Sequence, residues 1–412
     1  MPYRRRLADE RLSTLLEAFP AILLNGPRAT GKTTTARQHV ASEVRLDQPA
    51  QAAAFIADPD AALRSRAEPL LIDEWQEVPE VLGAVKRAVD DDPRPGRFVL
   101  TGSVRTDLET KMWPGTGRLI RLRMYGLTER EILGIDPGTS STFIDRLSTG
   151  QPSGFPLPDR RPDLRDYAEL AVRGGFPAAV LNTPSEHRET WANSYLDQLI
   201  TRDAAQLIGD ANPRKLESYF TALAANSAGL PEHKTLYDAA SIDRKTADRY
   251  DDLLDALFVT ERVPAWTANH LARLVKTAKR YVVDPALMAA SLAADADTLL
   301  ANDDLLGRAI DTFVMAQLRP EIALMDRVRL HHARTKAGRE EVDIVVELPG
   351  DRLIGLEIKA TASPRASDAR HLRWLRNAYP TRFVAGAVLH TGPDVIVLDE
   401  SILAIPICAF WG

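Results

Sequence analysis

Short apolar runs alternate with amphipathic stretches in the first third of the chain. The apolar runs predict buried strands at residues 21–24, 44–47, 70–73 and 97–101. Residues 34–40 and 50–66, which lie between them, have the spacing of apolar positions that is typical of helices. Strands that alternate with helices indicate a parallel sheet covered by helices. We therefore expect an α/β domain that ends near residue 135, after an alternating strand-like stretch at residues 117–123.

The pattern changes to helical periodicity in the middle of the chain. The predicted helices span residues 164–172, 186–207, 215–225, 235–240 and 244–257. The last two are joined by a short turn in a spacing that suits a helix-turn-helix, and Asp243 is a natural N-cap for the second helix. Residues 258–263 and 279–284 predict a hairpin that follows as a wing.

The last part of the chain predicts an α+β arrangement. We expect a helix at residues 305–318, then strands at residues 341–346 and 353–359 joined by a turn at Pro349-Gly350-Asp351. Proline, glycine and serine are frequent in residues 136–163, which indicates a linker or an exposed loop. The predicted domains are residues 1–135, 136–163, 164–300 and 301–412.

A phosphate-binding loop follows the first predicted strand. Residues 26–33 spell G-x-x-x-x-G-K-T, with a strand before and a helix after, which is the context that this motif requires. Backbone N–H groups of such a loop surround phosphates, while the lysine reaches the β- and γ-phosphates and the threonine hydroxyl binds Mg²⁺. We expect ATP and Mg²⁺ as cofactors. The predicted nucleotide-binding residues are Gly26, Pro27, Arg28, Ala29, Thr30, Gly31, Lys32, Thr33 and Thr34.

Polar residues end the next two long strands of the predicted sheet. Asp73 and Glu74 follow residues 70–72, and ligands of parallel sheets bind at the carboxyl ends of strands. Asp73 is therefore predicted to hold Mg²⁺ with Thr33, and Glu74 to polarise the attacking water. Thr101 and Ser103 end the strand at residues 97–101, where a hydroxyl senses the γ-phosphate or orients water. An ordinary strand-end turn is the alternative for this pair.

Composition bears on three questions: whether the protein binds nucleic acid, whether it forms disulfides, and whether it enters a membrane or is secreted. A formal net charge of -5 gives no overall attraction for nucleic acid, so such contacts need a local basic patch. One cysteine, Cys408, excludes an intramolecular disulfide and fits a reducing cytosol. No run approaches the ~18 apolar residues of a membrane span, and the basic start Arg4-Arg5-Arg6 lacks the apolar stretch of a secretory signal. We expect a cytoplasmic protein that does not contact the membrane.

Basic residues open the second helix of the predicted helix-turn-helix. Arg244, Lys245 and Arg249 are placed to meet phosphates or base edges in a groove of DNA. Acidic residues on the same helix oppose this interpretation: Asp248, Asp251, Asp252 and Asp255. A packing role for the module is the alternative.

Charged residues of the C-terminal hairpin form a second candidate site. Glu357 and Lys359 are two residues apart and share one face of their strand, and Asp343 can lie beside them on the partner strand. Two acids and a lysine on one face are typical of a Mg²⁺ site at which the lysine steadies a scissile phosphate. A hairpin with a surface salt bridge is the alternative.

Taken in order, these motifs resemble the prokaryotic AAA-type P-loop ATPases that carry a C-terminal domain of unknown function. The resemblance covers nearly the whole chain. Besides the loop, Asp73-Glu74 and Leu100-Thr101-Gly102-Ser103, it includes Gly117-Arg118, Tyr125-Gly126-Leu127-Thr128-Glu129, Gly174-Gly175-Phe176-Pro177, residues 307–318, Glu341-Val342-Asp343 and Glu357-Ile358-Lys359.

The resemblance implies a fold and further site residues. The fold is an AAA-like P-loop core, a winged-helix segment and a C-terminal domain similar to restriction-endonuclease-like PD-(D/E)XK folds. Asp311 would supply the further acid of a nuclease-like site with Asp343, Glu357 and Lys359, at a position where the longer Glu is expected. In a homo-oligomer, Arg118 or Arg105 would stabilise charge on the γ-phosphate of a neighbouring subunit.

Two classes of function remain open at this stage. The first is an ATPase whose nucleotide state controls the C-terminal domains, with DNA as the polymer on which they act and with nuclease activity unresolved. The alternative is a slow nucleotide-dependent switch that recruits a protein partner and carries a degenerate nuclease fold.

Overall fold

The computed structural model describes residues 3–103, 117–136, 141–149, 151, 154–207, 212–269, 277–335 and 339–412. Within these residues the strands form a five-stranded sheet, a two-stranded hairpin and a six-stranded sheet. Arg105 lies outside the described residues. No helix in the described ranges is long and apolar enough to cross a membrane.

The five-stranded sheet confirms the predicted parallel α/β domain. Its strands are β1 (Ala21–Asn25), β2 (Ser42–Arg45), β3 (Leu70–Asp73), β4 (Phe98–Gly102) and β5 (Leu119–Arg123). The order is β2-β3-β4-β1-β5, and every neighbouring pair is parallel. Because β1 lies inside the sheet, the loop after it opens at the carboxyl edge, beside the ends of β3 and β4.

Helices cover both faces of this sheet, and each face has its own apolar core. The helices are α1 (Leu7–Ala18), α2 (Lys32–Ala36), α3 (Pro49–Ala57), α4 (Pro59–Arg64), α5 (Val81–Asp91) and α6 (Glu129–Leu133). The helix predicted at residues 34–40 is displaced towards the loop: α2 begins at Lys32 and ends at Ala36, so its threonines are helical and the residues after Ala36 are not. The stretch at residues 50–66 divides at Asp58, which caps α4 in front of Pro59.

The middle of the chain is helical, as expected. Its helices are α7 (Phe143–Leu147), α8 (Leu164–Arg173), α9 (Arg188–Gln198), α10 (Ala204–Leu207), α11 (Pro213–Ala225), α12 (His233–Ala239), α13 (Arg244–Ala256), α14 (Pro285–Ser291) and α15 (Ala296–Leu300). A π-helical turn, Leu199–Asp203, joins α9 to α10. Asp243 caps α13 by accepting from the Thr246 N–H, and β6 (Thr260–Val263) pairs antiparallel with β7 (Lys279–Val282) in the predicted hairpin.

The six-stranded sheet forms the C-terminal part. Helix α16 (Asp303–Ile322) precedes β8 (Arg329–Arg334), β9 (Glu341–Leu348), β10 (Arg352–Lys359), α17 (Arg370–Ala378), β11 (Phe383–His390), β12 (Ile396–Asp399) and β13 (Ile402–Pro406). The order is β12-β13-β11-β10-β9-β8, and the sheet is mixed. Strands β8, β9 and β10 are antiparallel, whereas β10, β11 and β13 are parallel.

The middle and C-terminal parts share one apolar core. It joins residues of the helical region, such as Tyr219 and Leu253, to one face of the C-terminal sheet. The stretch expected to be a linker or an exposed loop contributes Phe143, Leu147 and Phe155 to this core, so it is not exposed throughout. The apolar positions within it outweigh its proline, glycine and serine content.

Candidate functional site

The loop of residues 26–31 adopts the backbone conformation that its glycines permit. Gly26 has φ 145°, and a Cβ there would lie 2.1 Å from the carbonyl oxygen of Met124. Gly31 has φ 88° and caps helix α2, while Ala29 is also left-handed, with φ 60°. Because α2 has five residues, anion binding here depends on the loop N–H groups more than on a helix dipole.

Lys32 is buried against the loop from which it starts. Its ammonium donates to the carbonyl oxygens of Gly26 and Pro27 at 2.9 and 2.7 Å. Burial lowers the pKa of Lys32 to about 8, against the opposing effect of the Glu74 and Asp73 carboxylates. The cation is thus held at the loop, beside both acids, by partners that a phosphate can replace.

The hydroxyl of Thr33 lies against the carboxylate of Asp73. Thr33 donates to Oδ1 of Asp73 at 2.6 Å, and the Thr101 hydroxyl donates to the same oxygen. The structure therefore brings the two predicted metal ligands together at the end of β3. A hydroxyl and a carboxylate that converge beside a phosphate loop fit Mg²⁺, which uses few protein oxygens and takes the rest from phosphate and water.

Glu74 projects from a strained position next to these groups. Its backbone is left-handed, at φ 53° and ψ 52°, which is uncommon for a residue other than glycine. Its N–H donates to the Thr101 hydroxyl at 3.4 Å, and Oε2 accepts from the Gln76 amide and, at 3.5 Å, from the Ser103 hydroxyl. Both candidate hydroxyls at the end of β4 thus face the acid pair, Thr101 towards Asp73 and Ser103 towards Glu74.

The loop opens into a cleft of about 660 Å³ that the helical region helps to form. The lining residues from that region are Pro177, Ala178, Asn182 and Arg202. Arg28 of the loop forms an ion pair with buried Asp203 at 2.9 Å. Burial raises the pKa of Asp203, and Arg28 opposes this effect. The helical region is therefore part of the candidate nucleotide site, and Arg28 lines the cleft while it pairs with that region.

Two arginines of this region were not anticipated as site residues. Buried Arg6 donates to the Thr30 carbonyl at 2.8 Å, to the Tyr125 carbonyl at 2.8 Å and to Glu131 at 2.9 Å, which fixes the back of the loop. Arg202 lies in the π-helical turn and lines the cleft opposite the loop. The available signal for Arg6 was a basic residue directly before α1, whereas nothing in the local sequence distinguishes Arg202.

Arg118 lies away from the loop of its own chain. It precedes β5, whose first residue pairs with the first residue of β1, so it lies at the amino edge of the parallel sheet. There it forms an ion pair with Asp90 near the end of α5. The structure does not bring Arg118 to the predicted site, and a role in a neighbouring subunit stays a prediction.

The basic residues of α13 lie on its exposed side. Arg244, Lys245 and Arg249 are exposed, and so are Asp248 and Asp252. Arg244 lies 3.9 Å from the Asp248 carboxylate. The surface therefore carries both signs of charge, as the sequence indicated.

The structure brings together all four residues of the predicted C-terminal site. Lys359 forms an ion pair with Glu357 at 3.1 Å, and the N–H of Ile358 donates to Asp343 at 3.0 Å. Asp311 faces them from α16, and an open cleft of about 490 Å³ is lined by Asp311, Asp343 and Lys359. A surface salt bridge alone does not describe this set, since Glu357 is buried.

Lys279 of the hairpin completes this cluster and was not anticipated. Its ammonium lies 2.9 Å from Asp311 Oδ2 and 3.3 Å from Asp343 Oδ1. Tyr281, two positions along β7 on the same face, donates to Asp311 at 3.0 Å. The available signal was the period of two in β7, which places Lys279 and Tyr281 on one face.

The other strand of the hairpin reaches the nucleotide domain. Glu261 of β6 accepts from Arg123 of β5 at 3.0 Å, and it forms an ion pair with buried Arg319 of α16 at 2.7 Å. Arg123 pairs in register with Asn25, the residue before the phosphate loop. The hairpin thus contacts both the nucleotide domain and the C-terminal domain.

Comparisons with known proteins divide the chain into three matched segments. Residues 18–133 match an AAA domain, residues 164–298 a domain of unknown function (DUF8612) and residues 306–410 another domain of unknown function (DUF4143). The Uncharacterized protein Rv2008c of Mycobacterium tuberculosis and the Uncharacterized protein Mb2031c of Mycobacterium bovis are each 30% identical over 413 residues. In both cases the match covers 98% of this chain and 84% of the relative.

Two solved structures share a general similarity with the chain. The Walker-type ATPase PABY2304 of Pyrococcus abyssi is 14% identical with a TM-score of 0.42, over 71% of this chain and 98% of that one. AMPPCP-bound DnaA of Aquifex aeolicus is 13% identical with a TM-score of 0.27, over 60% of this chain and 86% of that one. The AAA match covers the loop, Asp73, Glu74 and Thr101.

Proposed function

The chain belongs to the family of these two mycobacterial proteins and has an AAA domain, and from this premise we propose that it is a Mg²⁺-dependent ATPase whose nucleotide state acts on its C-terminal half. The observation that carries the ATPase proposal is the convergence of Lys32, Thr33, Asp73 and Glu74 at one edge of the sheet.

Each of these residues has a role in the proposed reaction. The loop N–H groups and Lys32 bind the phosphates, and Lys32 exchanges two carbonyl partners for them. Thr33 and Asp73 would hold Mg²⁺, which supplies positive charge to the β- and γ-phosphates. Glu74 accepts a proton from the attacking water, and the Ser103 and Gln76 contacts orient its carboxylate. Arg202, which lines the cleft from the helical region, would contribute a further positive charge to phosphate binding.

Contacts of the hairpin support the proposed coupling. Glu261 joins β5, next to the strand that carries the phosphate loop, to Arg319 in the C-terminal domain. Arg28 and Asp203 join the loop itself to the helical region. A shift of the loop on nucleotide binding therefore has two charged contacts through which it displaces the later domains.

We propose that the exposed side of α13 binds DNA, with α12, α13 and the hairpin forming a winged helix. Arg244, Lys245 and Arg249 support this proposal, and the acidic neighbours limit it to a local contact. The test is ATP hydrolysis with and without plasmid or single-stranded DNA. Stimulation by DNA that is lost in Arg244→Glu/Lys245→Glu, but kept in the exposed control Lys86→Glu, supports it. Hydrolysis that is indifferent to DNA rejects it.

A second candidate function is a slow nucleotide-dependent switch that recruits a protein partner. The contact of Lys279 with Asp311 and Asp343 favours it, because this contact is not expected in a domain that cleaves DNA with metal. A single-turnover experiment separates the candidates. A switch retains one nucleotide per chain through purification and turns over slowly, whereas an ATPase with DNA as its polymer releases product and cycles.

The role of Arg118 requires a homo-oligomer. Its exposed position at the far edge of the sheet supports action in trans over action on its own loop. Mixing Lys32→Ala with Arg118→Ala tests this role. Activity recovered in the mixture supports a shared site, and two inactive variants that stay inactive together contradict it.

A further inference from the structure

The C-terminal cleft has most of the parts of a nuclease-like site but differs at its centre. The resemblance to PD-(D/E)XK folds implies a divalent metal ion held by Asp343, Glu357 and the acid on α16, Asp311. Oxygen ligands of such ions lie about 2.0–2.6 Å from the metal. In the described residues no group of three or more acidic, histidine or cysteine side chains is arranged to hold a metal ion.

The ammonium of Lys279 lies between two of these carboxylates, those of Asp311 and Asp343. It is 2.9 Å from Asp311 and 3.3 Å from Asp343, so each acid already has a cation at hydrogen-bond distance. Lys279 is 3% exposed. A metal ligated by both aspartates would therefore have to expel a buried, paired ammonium.

We infer that Lys279 takes the place of the divalent metal ion in this cleft, so that the domain keeps a nuclease-like arrangement without binding metal there. The inference does not depend on ATP hydrolysis, because it concerns only the hairpin and the C-terminal domain.

Both strands of the hairpin that carries Lys279 are anchored to the C-terminal domain. Tyr281, on the same face of β7, donates to Asp311, and Glu261 of the paired strand forms an ion pair with Arg319 of α16. Val282, the next residue of β7, belongs to the core shared by the middle and C-terminal parts. Withdrawing the ammonium would separate a buried cation from its two carboxylate partners, which makes displacement by metal costly.

Electrostatics around the ammonium agree with this geometry. Burial alone would lower the pKa of Lys279, but Asp311, Tyr281 and Asp343 outweigh it and raise that pKa well above its ordinary value. Burial would raise the pKa of Asp343, yet Lys279 and Lys359 hold it below its ordinary value. Both directions follow from the 3.3 Å between the ammonium and the carboxylate, and it is this distance that carries the inference.

The third acid is buried and already pairs with a lysine. Glu357 is 2% exposed, Oε2 pairs with Lys359, and Oε1 has no hydrogen-bond partner among the described residues. Burial, and then the neighbouring Asp343, raise the pKa of Glu357 well above its ordinary value. One oxygen of this carboxylate is therefore already taken by the Lys359 ammonium.

Mn²⁺ binding to the full chain tests the inference directly. The experiment uses electron paramagnetic resonance of free Mn²⁺, without nucleotide, in an Asp73→Asn background that weakens the P-loop metal site. The background protein is expected to bind no Mn²⁺ at the cleft. Lys279→Met is expected to gain one Mn²⁺ per chain, bound at least about tenfold more tightly than any residual Mn²⁺ on the background protein. Adding Asp343→Asn should remove that gain.

Matched variants separate the charge of Lys279 from its packing. Lys279→Arg keeps a cation and should not gain metal, and Lys86→Met removes an exposed lysine paired with Asp90 and should behave as the background. The inference would be overturned if the background protein bound Mn²⁺ and lost it on Asp343→Asn. It would also be overturned if Lys279→Met folded but bound no additional Mn²⁺. The first of these results needs no Lys279 variant, so it applies even if Lys279→Met fails to fold.

Discussion

Nη1 of Arg123 donates to Oε1 of Glu261 at 3.0 Å, which joins the strand beside the phosphate loop to the hairpin. The other oxygen of the same carboxylate forms an ion pair with Arg319 of the C-terminal domain. One carboxylate thus neutralises two largely buried guanidinium groups that belong to different domains. This arrangement is the clearest physical link between the nucleotide site and the rest of the chain.

Removing the charge of Glu261 is expected to destabilise the protein. In Glu261→Gln both guanidinium groups lose their counter-ion, which costs about 2 to 3 kcal/mol of the free energy of unfolding for a partly exposed acid. Glu43→Gln breaks the exposed pair with Arg37 and should cost less than about 1 kcal/mol. Urea unfolding measures both, and equal losses would contradict the buried role of Glu261.

The affinity for ATP should fall as the pH rises from 7 to 9. Lys32 has a pKa of about 8 in the free protein, lowered by burial, and only its protonated form pairs with phosphate. Because a neutral Lys32 has to take up a proton before it pairs with phosphate, the affinity is nearly complete at about pH 7 and weakens by about tenfold between pH 7 and pH 9. Fluorescent nucleotide titrations across this range measure it. The exposed control Lys86→Met should keep the profile, and a flat profile would contradict the burial of Lys32.

Gly26→Ala is expected to disrupt the phosphate loop. The new Cβ would lie 2.1 Å from the Met124 carbonyl oxygen at a φ of 145°, so the backbone has to move and nucleotide binding is lost. Gly307→Ala is the matched control, because a Cβ there meets nothing within 4 Å inside helix α16. That control should gain about 0.5–1 kcal/mol of stability. Nucleotide binding retained in Gly26→Ala would contradict the loop geometry.

Arg202→Ala is expected to weaken ATP binding without loss of stability. The side chain is exposed in the nucleotide cleft, so its removal should raise the Kd for ATP by about tenfold, as expected for one charge-assisted contact to phosphate. The exposed Arg214→Ala in the same region is the control and should bind as the wild type does. Isothermal titration measures both. An unchanged Kd in Arg202→Ala would place the arginine outside the site.

The phosphate site was predictable because its parts follow local rules. A loop between a strand and a helix has a recognisable spacing, and parallel strands end at one edge, so Asp73 was expected to meet Thr33. The bounds of helix α2 were predicted at residues 34–40, but the helix starts at Lys32, directly after the left-handed Gly31 that ends the loop, and it stops at Ala36. The hairpin and the cap at Asp243 also followed from local pattern.

Contacts between distant segments were not predictable in the same way. Lys279 meets Asp311 and Asp343 across 32 and 64 residues of sequence, because the domains pack with the hairpin between them. Arg28 meets Asp203 through the same kind of packing. No propensity or period encodes such contacts, since they depend on how whole elements are placed.

ATP hydrolysis by wild type and Glu74→Gln tests the central claim most directly. The predicted result is Mg²⁺-dependent hydrolysis by the wild type, with a kcat about 100-fold lower in Glu74→Gln because the general base is removed. ATP affinity should be retained, since the loop and Lys32 are unchanged, and the exposed control Glu80→Gln should match the wild type. Hydrolysis by Glu74→Gln at the wild-type rate, or a wild type that binds ATP without hydrolysing it, would contradict the claim.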